Sequence, residues 1–260
     1  MNIKNINSNP VNNGNHCNLL SVVSNKGGAG KTSISICIGF YFAIALNKKT
    51  LLVEMDSSPG DFGPLFDIAN DNSLDIAIKY PQRFKNYVKN VGKNLDILKG
   101  FSNPINAETA TEEEIITLFK CILESYEVIV VDTQSVLSGI IIDVLKISDV
   151  IIVLSEPTIE SLSRVSELIS ILSTKFLISK TKFQLIINKK KVFDFFNVKD
   201  IAKILGFPVK GFISFDKKFN KNLIIFNTGK LVRTKFNIEL SRFINTLIEN
   251  GVIHEFTRKT

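Results

Sequence analysis

Residues 24–33 read S-N-K-G-G-A-G-K-T-S and sit between two apolar stretches of different period. Leu19–Ser24 is a short apolar run of strand length, and Ile34–Leu46 is a nearly all-apolar run of helix length. A strand, a glycine-rich loop, Gly-Lys-Thr and a helix, in that order, leave few folds open. Gly27, Gly28 and Gly30 allow positive φ, so the loop can turn its N–H groups inward around an anion, with the helix N-terminus behind it. Lys31 is then placed to reach phosphate oxygens, and the Thr32 hydroxyl to help hold Mg²⁺. The loop as a whole, Gly27, Gly28, Ala29, Gly30, Lys31, Thr32 and Ser33, forms the expected phosphate-binding set.

The rest of the chain alternates in the same way, which predicts an α/β fold with a mostly parallel twisted sheet and helices on both faces. Strands are expected at Thr50–Glu54, Leu95–Leu98, Val128–Val131, Val150–Leu154, Phe183–Ile187 and around Val209–Ile213. Helices are expected at Leu137–Ile147, Ile159–Ser173 and around Val198–Leu205, with two more closing the chain. Thr111–Ser125 opens with T-E-E-E, an N-cap followed by acids in the first turn. Residues 65–93 are less regular and predict two short helices. No repeat or linker interrupts the pattern. The organisation expected is a flexible segment over residues 1–18 and one domain over 19–260.

Three acids fall at strand ends. Glu54-Met55-Asp56 places two carboxylates at period-2 spacing, on one strand face and near the carboxyl end where such sheets bind ligands. In Y-E-V-I-V-V-D-T, four apolar residues precede Asp132, as in a buried strand that delivers a carboxylate to a metal's hydration shell.

The form K-G-G-x-G-K-T, with Asn25 and Lys26 where the standard loop begins with glycine, resembles the deviant phosphate loop of the MinD/ParA group of P-loop ATPases (SIMIBI type). The resemblance covers residues 19–250. It implies binding of ATP with Mg²⁺, slow hydrolysis and a homodimer of ATP-bound subunits. Lys26 then crosses the interface to the partner's phosphates, while Lys31 serves its own subunit. Asp56 matches the acid that polarises the attacking water and lies near Mg²⁺; Glu54 replaces the group's usual first aspartate. Asp132 matches the Walker B carboxylate, so Thr32, Asp56 and Asp132 form the implied metal set. The group follows that carboxylate with a small-Pro-x-Gly switch, whereas this chain has Thr133-Gln134-Ser135. L-I-I-N-K resembles the strand that ends in an adenine-reading asparagine, here Asn188, and F-I-S-F-D resembles the I-P-x-D segment over the base, which points to Asp216. P-G-D-F-G-P-L-F-D-I and N-L-D-I-L-K-G-F-S-N-P resemble most the CpaE/TadZ branch, which positions pilus assembly machinery.

Charge bears on partners. Residues 1–174 carry 14 Lys and Arg against 19 Asp and Glu, a net of −5, whereas residues 175–260 carry 18 against 6, a net of +12. A basic C-terminal third can meet DNA, as in a ParA-like partitioning ATPase, or an anionic membrane surface, or simply be a solvated lysine face. The sequence has no 18-residue uncharged apolar run and no apolar signal core at its start, and three cysteines lack metal or redox spacing. A cytoplasmic protein, with peripheral membrane contact as an open alternative, is the expectation.

Overall fold

A computed structural model describes residues 17–57, 60–191, 198–217, 219 and 234–254. Its centre is one eight-stranded sheet: β1 (Asn18–Val23), β2 (Thr50–Met55), β3 (Lys89–Gly92), β4 (Leu95–Leu98), β5 (Val128–Thr133), β6 (Val150–Ser155), β7 (Phe183–Lys190) and β8 (Val209–Ser214). The spatial order is β3-β4-β2-β5-β1-β6-β7-β8, with every pair parallel except the antiparallel β3–β4. β1, β2, β5 and β6 are buried along their whole length, as expected for near-continuous apolar strands covered on both faces.

Alternate side chains of these strands feed two separate cores. On one face α1 (Lys31–Phe40) packs with α2 (Phe62–Phe66) and the C-terminal helix (Lys235–Glu249) around Leu20, Val22, Leu52 and Val130. On the other, α3 (Leu74–Lys79), α4 (Pro104–Thr109), α5 (Glu112–Leu123), α6 (Gly139–Ile147), α7 (Ile159–Thr174) and α8 (Val198–Leu205) cover Leu19, Val53, Val131 and Val153. The C-terminal helix is α9. Each fully buried aliphatic side chain in these layers contributes about 1.5–3 kcal/mol of transfer free energy.

The expected strands and long helices are present, and α5 begins with a full capping box between Thr111 and Glu114. One local reading changes, one is extended, and one falls partly outside the described residues. The apolar helix after the phosphate loop is α-helical only to Phe40 and continues as a π-turn over Tyr41–Ala45, closed by Leu46 N–H donating to the Tyr41 carbonyl at 3.2 Å. Residues 65–93 hold α3, a 3₁₀ turn at Pro81–Asn86 and the outer strand of a hairpin, β3. Strand β3 is too short and too exposed to show an alternating apolar pattern. Of the two closing helices, α9 is present; the segment expected to hold the other lies largely outside the described residues.

Candidate functional site

Parallel register brings the carboxyl ends of five strands to one edge. Val22 pairs with Asp132, Glu54 pairs with Asp132 across the next ladder, and Val23 pairs with Val153. Ser155 pairs with Ile187, which leaves Glu156 and Asn188 side by side just beyond β6 and in β7. Thr133 locks this edge by donating its hydroxyl to the Val22 carbonyl at 2.8 Å.

The loop between β1 and α1 wraps that edge. Gly28 and Gly30 have φ of 73° and 98°, and Gly30 caps α1. A Cβ on Gly30 would lie 2.5 Å from the Asn188 amide nitrogen, so this position excludes a side chain on two counts. Asn188, 3% exposed, donates to the Ala29 carbonyl at 2.8 Å and accepts from the Lys189 N–H at 2.8 Å. It therefore buttresses the loop from the β7 side.

Lys31 is buried and donates to the Ser135 hydroxyl at 2.7 Å. Burial lowers its pKa, and the Asp132 and Asp56 carboxylates act against that shift. Asp132 is 5% exposed, and burial pushes its pKa up to about 7, although hydroxyls from Thr32 and Ser35 favour its charge. Ser35 donates to it at 3.1 Å. A carboxylate beside two hydroxyls is a hard-oxygen set of the kind Mg²⁺ takes, provided phosphates and water complete the shell. The described residues contain no group of three or more His, Cys, Asp or Glu that would cage a metal alone. Asp132 and Thr32 thus fit a phosphate-bound Mg²⁺ better than a free one, with Asp56 acting by charge on the neighbouring Lys31.

Glu54 lies beside Asp132 on the face its spacing predicts, but its oxygens are taken up by backbone. It is 2% exposed and accepts from the Phe62 N–H and the Gly100 N–H, each at 3.0 Å. Of the pair, the half-buried Asp56 is the acid whose charge acts on Lys31. Gln134, in the place where the resembling group has proline, accepts from the Ser57 hydroxyl at 2.6 Å and joins the loops after β2 and β5. Asp216 lines a shallow cleft with Gly30, Ser33, Asn188, Phe219 and Phe236, the two rings stacked at 3.9 Å.

Lys26 points away from Lys31. Its ammonium pairs with Glu156, which also receives Lys189 Nζ at 2.8 Å. Lys189 donates as well to the Gly28 carbonyl and has a left-handed backbone, φ 56°. Burial opposes the charge of Glu156, but the two ammonium groups outweigh it and hold its carboxyl below the usual range. Glu156 carries no motif, and Lys189 stands in L-I-I-N-K only as the neighbour of Asn188, so neither was legible as a site residue in the sequence.

Loop, lysine and carboxylate meet at the carboxyl edge of a parallel sheet. The chain belongs to the AAA domain family, which matches residues 17–187, well over half of its length. No curated protein sequence matches it. Solved structures with the same fold include a ParA family ATPase from Chlorobium tepidum, with TM-score 0.78, 18% identity, and coverage of 88% of this chain and 98% of that one. Another is the septum site-determining protein MinD from Pyrococcus horikoshii, complexed with Mg-ADP: TM-score 0.72, 15% identity, 90% and 97% coverage. A plasmid partition protein from Borrelia burgdorferi superposes with TM-score 0.66 at 20% identity, covering 89% and 99%. No helix among the described residues is long and apolar enough to cross a membrane.

Proposed function

We propose that this chain is a Mg²⁺-dependent ATPase that pairs with a second copy when ATP is bound and acts as a positioning switch. The observation that carries the reading is the divergence of two lysines on one loop. Lys31 turns toward the loop after β5, and Lys26 toward the residue after β6, on the other side of β1. A lysine that served only its own nucleotide would converge with Lys31. One that diverges toward the rim can reach a second subunit once its ion pair with Glu156 opens.

In this reading the loop N–H groups and Lys31 hold the phosphates, and Thr32 and Asp132 orient Mg²⁺, which neutralises phosphate charge. Asp56 polarises water, and Asn188 and Asp216 border the cleft for the base. The likeness to MinD bound to Mg-ADP supports the nucleotide and metal. The stretches around α2 and after β4 support a CpaE/TadZ-like role at pilus machinery over septum placement.

Calorimetry and sedimentation test this together. Lys31→Ala is expected to abolish ATP binding; undiminished binding sinks the loop assignment. Lys26→Ala is expected to bind ATP normally. It should dimerise about two to four decades more weakly with a slowly hydrolysed analogue, since a charge-assisted hydrogen bond is worth roughly 1.5–3 kcal/mol and a symmetric pair holds two of them.

A second reading, a DNA-partitioning ATPase, is favoured by the net +12 of residues 175–260 and by the likeness to a plasmid partition protein.

A further inference from the structure

On the rim of the site, Glu156 is a carboxylate that meets two lysines at once. Its side chain is 14% exposed, against 40% for Lys26 and 39% for Lys189. Its backbone is fixed, because its N–H donates to the Ser161 hydroxyl at 2.9 Å and Thr158 caps the helix that follows. The main chain that carries the carboxylate is therefore anchored beside the loop.

The two lysines differ in how they are held. Lys189 has a second anchor in the Gly28 carbonyl. Lys26 is bound through Glu156, with Glu160 acting on the same neighbourhood by charge. Of the two, Lys26 has less to give up. Each takes a different oxygen, Oε2 for Lys26 and Oε1 for Lys189, so one negative charge is divided between two cations.

We propose that Glu156 is a resident counter-anion that holds Lys26 within its own subunit, so that a partner's phosphate must displace it before two copies can pair. The inference rests on the pairing reading above. Its physical content is a competition: Lys26 exchanges one carboxylate for a more highly charged phosphate, and the carboxylate sets how much of that exchange is gained. Lys189 moderates it. By drawing on the same carboxylate, Lys189 loosens the hold on Lys26, and when Lys26 leaves, Lys189 keeps Glu156 from becoming an unpaired half-buried charge.

Two substitutions therefore act in opposite directions. Glu156→Gln removes the competing charge and frees Lys26. Pairing with a slowly hydrolysed ATP analogue should tighten about three- to tenfold, because each of two equivalent ion pairs per dimer is partly screened. Lys189→Met leaves Glu156 wholly to Lys26, and pairing should weaken by a similar factor. Sedimentation of both variants beside the wild-type chain reads the pairing, with calorimetry of the analogue on the same samples. A Glu156→Gln chain that is folded and pairs no better than wild type overturns the proposal, as does a Lys189→Met chain that pairs more tightly. Should Glu156→Gln fail to fold, Lys189→Met decides alone. A wild-type chain that binds the analogue yet stays monomeric overturns the pairing reading, and this proposal with it.

Discussion

Glu54 and Asp56 share a strand end, and their environments give them opposite work. Glu54 is a clasp. Its two oxygens each take a backbone N–H, from Phe62 and from Gly100, and a Cβ on Gly60 would lie 2.1 Å from one of them. Glu54→Gln turns one acceptor into a donor that faces an N–H, and a buried amide is left unsatisfied. The expected loss is about 1–3 kcal/mol in urea unfolding. Asp56, half-buried and acting by charge on Lys31, is the acid proposed above to polarise water. Asp56→Ala is expected to keep its fold and ATP affinity while turnover falls by roughly 10² or more; wild-type turnover would remove it from the mechanism. The sequence could place both acids at a strand's end because period 2 is local. It could not assign Glu54 its task, since that depends on Gly100 from another strand's end. Lys26 was visible by its position in the loop, but its partner Glu156 lies 130 residues away.

Elements are tied at this edge by side chains as well as by ladders. Asp75 in α3 accepts from the Ser102 N–H at 3.0 Å, the Ser102 hydroxyl at 2.9 Å and the Asn106 amide at 2.8 Å, which joins α3 to the loop after β4 and to α4. Burial works to raise its pKa, and hydrogen bonds led by the Ser102 N–H more than reverse that, so the carboxyl titrates below its usual range. The folded state thus binds this proton less readily than the unfolded chain. Its contribution is fully present above the ordinary aspartate range and is lost as pH falls through the lowered folded value. Asp75→Asn should cost about 1 kcal/mol at pH 7 after allowance for solvent screening, and should cost much less near pH 2. Urea titrations at the two pH values check the difference; an equal loss at both would mean shape, not charge, is what the aspartate provides. Among elements, legibility followed locality. The Thr111–Glu114 capping box was readable within four residues. The hairpin that adds β3 to the sheet was not, because its strand is four residues long and lies at an exposed edge. Nor was the π-turn, whose extra residue per turn leaves the apolar run unbroken.

For the molecule as a whole, charge asymmetry is the property open to a direct test. If the basic C-terminal third meets DNA, binding should appear chiefly with ATP, when pairing doubles the basic surface offered to the duplex. It should also fall steeply with salt as counterions are released. A gel shift at roughly 50 mM salt reads it, since phosphate interactions are strongest at low ionic strength. Absence of a shift with ATP present would leave protein partners as the object positioned. The order of strands carries a different consequence, one of time. β1 precedes the other strands of the sheet in the chain, yet its neighbours are β5 and β6, and Asn18 finds its partner Val128 about 110 residues later. At roughly 5–20 residues per second, the first strand waits several seconds or more with its apolar residues unpaired, while β2 and β4 already have the chain they need to join. The phosphate loop, hung between β1 and α1, is thus made well before its walls, so a nucleotide can have no site to occupy until β5 and β6 have closed on either side of β1.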